Sequence, residues 1–358
     1  MLDYLCILMT EHSITVDLDS AELGVSEVLR GIALFAEKTD KEFSLSLVSS
    51  SPEEARTLAQ RRLMPVCQRK GIQVEIHEAK DKLPARIESP VSVYRSHPGN
   101  SIAIGLKILK EKGGAFVSPA HTGLVMTTAL FVLGRIESVE RPPISTPLPT
   151  RGKTLFLLDS GANVDVRAHH LLQFAHLGKV YVETIFGRLN PRIALLSNGT
   201  EDYKGNAIVR EAYQLLKSDT QLNFVGYVEG QELFSGELDI VICDGFVGNI
   251  LLKVVEGVAG TIYRIMREEL RKRPLSALLS KFLLSSALLG IRKRLDYAEL
   301  GGAPLLGVKG NVVICHGRSN ANAFMNALNF ALKMAKADVS TKLEREMSRV
   351  RELSPNRR

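Results

Sequence analysis

The stretch VICDGFVGNILLKVVEG, Val241–Gly257, decides how the rest of the chain is read. An apolar run, Asp239–Cys243, passes through a glycine-bearing turn into a helix whose apolar residues recur at helical spacing. In an α/β protein such a turn lies at the carboxyl end of a strand, where a helix N-terminus offers free N–H groups to an anion. Phosphate is the natural guest. Asp244, Gly245, Gly248 and Asn249 supply a tight turn, a close backbone approach and a side-chain amide, and Lys253 follows Asn249 one helical turn on. Taken alone, the turn is also explained as a plain capped connection.

Similar turns recur. NGTEDYKGN follows the strand-like Arg192–Leu196 and offers Asn198, Gly199, Lys204, Gly205 and Asn206. SPAHTG follows Gly114–Val117 and offers Ser118, His121, Thr122 and Gly123. DSGANVD follows Thr154–Leu158 and offers Asp159 and Asn163. Polar, glycine-bearing turns after several apolar strands imply one crevice lined from several strand ends.

Strand and helix patterns alternate nearly throughout, which predicts an α/β fold, a parallel or mostly parallel sheet with helices on both faces. The pattern predicts strands at Ser13–Leu18, Phe43–Val48, Gln73–His77, Asn223–Val228 and Asn311–Cys315. Helices are expected at Val25–Lys38, where Ser26 and Glu27 suit an amino-terminal cap, at Ser101–Lys112, and from Pro52 to about Lys70. RPPISTPLPTRG, Arg141–Gly152, cannot be regular helix and reads as extended, either a subdomain boundary or a rigid crossover. RPLSALLSKFLLSSALLGIRKR, Arg273–Arg294, is apolar almost all round a helical wheel and bracketed by basic residues. With its neighbours it predicts a protruding apolar helical hairpin over 260–298. Leu278, Phe282, Leu283 and Leu288 would meet either lipid or a second copy, and both can hold for one hairpin. Residues 1–12 read as an N-terminal extension, 13–337 as the α/β domain, and 338–358 as a charged tail, helical in composition if anything and solvated or frayed.

The formal net charge of +7 favours an acidic partner. Charge alone does not choose among carrier protein, anionic lipid and nucleic acid. Cys6, Cys67, Cys243 and Cys315 are too scattered for a zinc pattern and read as buried, reduced thiols. Nothing in the first residues reads as a signal peptide, and no uninterrupted apolar run reaches spanning length. There is no GxxxxGK[ST] loop, no HExxH, no GxSxG elbow, and no GxGxxG after the first strand. His169, His170 and His176 fall on a predicted helix among apolar neighbours, a structural setting. His121 and His316 sit at strand ends and are kept as site candidates.

With these turns assembled, the chain resembles the PlsX family, phosphate acyltransferases that make acyl-phosphate from acyl carrier protein thioesters and inorganic phosphate. The matching blocks include VSPAHTG, LDSGANVD, NPRIALLSNGTEDYKGN, DIVICDGFVGNILLKVVEG, LDYAELGGAPLLGVKG and HGRSNA, in order. The resemblance implies a single Rossmann-like three-layer α/β/α sandwich with a mostly parallel sheet, and a homodimer, cytoplasmic and peripherally attached to an anionic membrane. Its partner would be acyl carrier protein, its product would pass to a membrane glycerol-phosphate acyltransferase, and it would need no cofactor, metal or nucleic acid. By the motif match Lys204 and Asn249 form the catalytic pair. Two blocks depart from the family pattern. DLDSAE stands where the family has DAMGGD, so Ser20 and Ala21 replace glycines, and PAHTG stands for AGNTG. The alternative is a weakened or non-catalytic relative that binds carrier or membrane.

Overall fold

A computed structural model describes residues 12–40, 42–84, 86–271 and 301–353. The chain parts into two compact units. One comprises the chain up to Gly134 with Val308–Asp338, the other Arg135–Gly307 with the residues from Val339 on.

In the first unit, β1 (Ser13–Asp17), β2 (Ser44–Ser49), β3 (Gln73–Glu78), β4 (Ala115–Ser118) and β11 (Asn311–Ile314) run parallel in the order β11-β4-β1-β2-β3. Every residue of β1 and β4 is buried, so helices cover both faces, and the polar Ser13, Thr15 and Asp17 of β1 are enclosed along with Ile14 and Val16. Asn100 caps the helix Ser101–Lys112, its side chain accepting from the Ile102 and Ala103 N–H groups. The helix Val25–Lys38 matches expectation in span but not in cap. Gly24 occupies the N-cap, and the Glu27 carboxylate instead accepts the Ala321 N–H at the start of Ala321–Lys336. The predicted helix from Pro52 breaks at Leu63 into Pro52–Arg62 and Met64–Lys70, because Pro65 cannot continue the hydrogen-bond ladder and instead suits a new first turn.

In the second unit, β5 (Ser145–Leu148), β6 (Leu155–Leu158), β7 (Ile193–Leu196), β8 (Phe224–Val228) and β9 (Ile240–Ile242) lie in the order β5-β6-β9-β7-β8. All pair in parallel except β5, which is antiparallel to β6. The proline-rich stretch is therefore extended, and its Pro147 sits at the sheet edge, where a missing N–H is tolerated. The short β10 (Ala303–Leu305) approaches the same region through an antiparallel bridge from Leu305 to Ile144.

The C-terminal segment is not a solvated tail. Val339–Leu353 is a helix whose Val339, Leu343 and Met347 are buried, and it packs on the helix Ala168–Phe186. Those residues recur every four positions, a narrow stripe that the surrounding charges hide in the sequence. The helix Gly245–Arg271 begins straight after β9 and exposes the apolar side chains of Val247, Val254, Val258 and Ile265. Gly245–Met266 is long and apolar enough to cross a membrane by length and composition alone. Lys253, Glu256 and Arg264 interrupt it, so no uninterrupted run marks it in the sequence. Leu278, Phe282, Leu283 and Leu288 lie outside the described residues, as do Cys6 and most of the N-terminal extension.

Candidate active site

Strands β6, β9 and β7 are neighbours in register, Leu158 opposite Ile242 and Leu195 opposite Ile242, so their carboxyl ends stand side by side. The loops that leave them begin at Asp159, Cys243 and Ser197. Three of the turns singled out in the sequence therefore rise from one edge of one sheet.

Asp159 is the hub of the first loop. Its carboxylate, fully buried, accepts hydrogen bonds from the N–H groups of Ile144, Gly161, Ala162 and Asn163 and from the Asn163 amide, at 2.7–3.2 Å. Burial pushes its carboxyl above the usual carboxylate range, and these donors pull the other way. Asn163 completes the clamp by donating to the Pro142 carbonyl at 2.9 Å. This loop lies directly against the start of Gly245–Arg271. Gly245 donates its N–H to the Asn163 carbonyl at 2.8 Å, and a Cβ on Gly245 would stand 2.8 Å from the Asn163 nitrogen. Gly248 packs as closely on Asp159. The glycines of DGFVGN are thus required by contact with the neighbouring loop. Asp244 is the helix cap, its carboxylate accepting the Val247 N–H at 2.8 Å. Asn249 is exposed and lies beside Gly161, whose Cβ would meet the Asn249 side chain at 3.4 Å. Lys253 is exposed one turn further on, paired with Glu256 at 2.9 Å.

The loop after β7 is closed by Asn198, whose side chain accepts the Gly205 N–H at 2.8 Å. A Cβ on Gly199 would stand 2.7 Å from Lys204 Cγ, so the aliphatic stem of Lys204 lies across that glycine. Its ammonium stands 5.5 Å from the Tyr203 ring centroid. Asn206 caps the helix Ala207–Ser218. Two further residues belong here that the sequence reading missed. Arg210 donates to the Gly205 carbonyl, pinning the turn after Lys204, and the buried Ser197 hydroxyl has no hydrogen-bond partner among the described residues. The i,i+5 spacing of Gly205 and Arg210 across a helix start was the only trace of the former.

The remaining candidates belong to the first unit, at the ends of β4 and its neighbour β11, where the Cys315 N–H donates to the Ser118 carbonyl. The Ser118 hydroxyl donates to the buried Asp17 carboxylate at 2.7 Å and accepts the Ala120 N–H, so Ser118 braces its own loop. His121 stands exposed at the N-cap of Thr122–Val132 without a side-chain capping bond. Thr122 is exposed and Gly123 half-buried. His316 is exposed, its Nδ1 accepting the Arg318 N–H at 3.0 Å. Arg318 in turn binds the Glu22 carboxylate at 2.9 Å, and the Glu22 N–H donates to the Gly317 carbonyl, which fixes the DLDSAE turn. Ser20 and Ala21 carry ordinary backbone. Among the described residues positive φ outside glycine occurs at Asn190 and Asp338 only, so these two positions do not depend on glycine.

The helical histidines are used structurally. His170 Nδ1 accepts the Arg167 N–H, so its proton sits on Nε2 and is donated to Glu140. That tautomer leaves no lone pair for a metal at Nε2. His169 shares the same carboxylate, and the two hydrogen bonds hold Glu140 down at about 2. Cys67, Cys243 and Cys315 are buried free thiols, and burial pushes Cys67 up to about 11 and Cys315 to about 12.

The family described as "Fatty acid synthesis protein" matches residues 12–342. The chain is 38% identical over 339 residues to the phosphate acyltransferase of Lawsonia intracellularis, covering 94% of this chain and 95% of that protein. It is 41% identical over 319 residues to that of Pelotomaculum thermopropionicum, covering 89% and 90%. The chain belongs to the PlsX family of acyltransferases. Among solved structures, a phosphotransacetylase from Streptococcus pyogenes superposes with a TM-score of 0.59 at 17% identity, covering 92% of this chain and 94% of that one. The EutD phosphotransacetylase from Staphylococcus aureus gives 0.57 at 15%, covering 92% and 95%. At these identities the likeness shows the fold alone, an α/β arrangement shared by this PlsX member. The acyltransferase family accounts for a site of loops and helix starts rather than a nucleotide fingerprint.

Proposed function

We propose that the chain transfers the acyl group of an acyl carrier protein thioester to inorganic phosphate, giving acyl-phosphate and free carrier for phospholipid synthesis. The observation that carries this reading is the family match over residues 12–342, with Lys204 on the loop that leaves β7 and Asn249 on the first turn of the helix that follows the adjacent β9. A phosphate oxygen attacks the thioester carbonyl, the C–O bond forms, and the C–S bond breaks with the electron pair going to the thiolate. The nucleophile is already anionic and a thiol leaves at a pKa of about 8.5, so the step asks for positioning and charge stabilisation more than for acid catalysis. The Lys204 ammonium balances the phosphate or the developing oxyanion, and the Asn249 amide orients the reacting group.

The reading extends to a homodimer held at the cytoplasmic surface of an anionic membrane, its product passing to a membrane glycerol-phosphate acyltransferase. The exposed apolar ridge on Gly245–Arg271 supports such a contact. Replacing Leu283 and Leu288 by Glu is expected to abolish sedimentation with anionic vesicles, and equal sedimentation of variant and parent would confine the hairpin to dimer packing. The alternative is a weakened or non-catalytic relative that binds carrier or membrane, and it predicts no phosphate-dependent release of carrier.

The deciding experiment incubates purified protein with acyl carrier thioester, with and without phosphate. Phosphate-dependent release of carrier thiol together with acyl-phosphate is expected. Release that is the same without phosphate, or none, overturns the reading.

A further inference from the structure

An acyl chain has no charge and no hydrogen-bonding group, so a site that joins it to phosphate must set apolar surface at the rim of a polar centre. Large apolar side chains left in water at such a rim call for an occupant. Several stand on the loops and helix start of the second unit, Tyr203 beside Lys204 and Ile250 beside Asn249 among them, and two of the set are close neighbours. Val164 follows Asn163 and Phe246 follows Gly245, and each is 58% exposed. The two leave neighbouring points of the backbone, because Gly245 and Asn163 are joined N–H to carbonyl at 2.8 Å. Val164 lies on the loop from β6 that holds Asp159, and Phe246 on the helix turn after β9 that holds Asn249. At 100° per residue Phe246 lies about 60° round the helix from Asn249. It lies about 100° from the ridge of Val247, Val254, Val258 and Ile265, with the exposed Ile250 between them, so it is the edge of that ridge nearest the amide.

On the reading of this chain as an acyl-to-phosphate transferase, we propose that Phe246 and Val164 seat the first methylenes of the acyl chain and so hold the thioester carbonyl beside Asn249. The occupant is the substrate's own chain. A second copy or a membrane is the competing occupant, and both are separated by the test.

The experiment measures phosphate-dependent turnover of acetyl and palmitoyl thioesters of the carrier by the full-length protein and by F246A, V164S and F246L. An acetyl group has no methylene to seat, so the ratio of palmitoyl to acetyl kcat/KM reports the contact. The ratio is expected to fall about tenfold in F246A and V164S, the loss of roughly two buried methylenes, and to stay within about twofold of the parent in F246L, which keeps the bulk. Thermal melting checks that each variant is folded, sedimentation velocity follows the oligomer, and co-sedimentation with anionic vesicles follows the membrane contact. An unchanged ratio in folded, active F246A and V164S overturns the assignment. So does an unchanged ratio with a shift in oligomer or in vesicle binding, which gives the face to a second copy or to lipid. If the parent protein releases no carrier with either thioester, the reading of the reaction falls first and this assignment with it.

Discussion

Gly248 passes so close to Asp159 that a Cβ on Gly248 would stand 1.9 Å from the Asp159 carbonyl oxygen. The contact is backbone against backbone, so no side-chain rotation can relieve it. G248A must push the first turn of Gly245–Arg271 away from the loop after β6, at a cost of about 3 kcal/mol. Urea denaturation should show that loss, and turnover should fall with it, since Asn249 rides on the same turn. A variant as stable as the parent would show that the two segments are not packed in this way.

The Asp159 carboxylate gathers four backbone N–H groups and one amide, and every partner is a donor. In D159N the new NH2 group must face donors on one side. Buried donors lose their acceptor and like faces like, which predicts a loss of about 2–4 kcal/mol with almost no change in volume. Isosteric D159N should therefore melt far below the parent in calorimetry. A small shift would mean that water takes over the loop's N–H groups.

Lys204 and Asn249 differ from Asp159 in that neither supports the fold. Lys204 is half-buried over Gly199 through its stem, and Asn249 is exposed. K204A and N249A are each expected to cut acyl-phosphate formation by about two orders of magnitude with melting temperature nearly unchanged. Steady-state assays of carrier release, read beside thermal melts, check both halves of the expectation. Full activity in K204A would remove it from the mechanism.

How much of this was legible beforehand follows from which signals are local. The step from Ile242 through Asp244 to Asn249 is written in consecutive residues, so the β9 turn could be read from its glycines and apolar run. The reason for Gly245 and Gly248 could not, because the surfaces they accommodate belong to Asn163 and Asp159, some 80 residues away in the chain by simple numbering. The family resemblance supplied Lys204 and Asn249, whose chemistry is general, while Arg210 stayed hidden because its role is one bond to a carbonyl. The C-terminal helix was misjudged for a related reason. Val339, Leu343 and Met347 form a thin stripe among charges, and the surface that buries them, Ala168–Phe186, comes from the middle of the chain.

That packed C-terminal helix brings with it a titrating contact. His176 is fully buried, its Nε2 at 3.0 Å from Asp219 and its Nδ1 at 3.8 Å from Glu346 on Val339–Leu353. Burial pushes the imidazole down, but the hydrogen bond to Asp219 and the nearby Glu346 carboxylate outweigh it and hold the ring above its ordinary 6.5. Glu346 is held below its usual value, first by His176, with Lys179 and Arg349 also facing it. A histidine raised in the folded state contributes stability that is complete below pH 6.5 and is lost as pH rises through the folded value. The parent protein should therefore become less stable from neutral to alkaline pH over that range, most of all where Val339–Leu353 docks. H176Q, which can still donate to Asp219 but cannot carry charge, should flatten the profile. Hydrogen exchange of Leu343–Met347 amides measured across pH gives the local readout, and parallel profiles for parent and H176Q would rule out His176 as the titrating group.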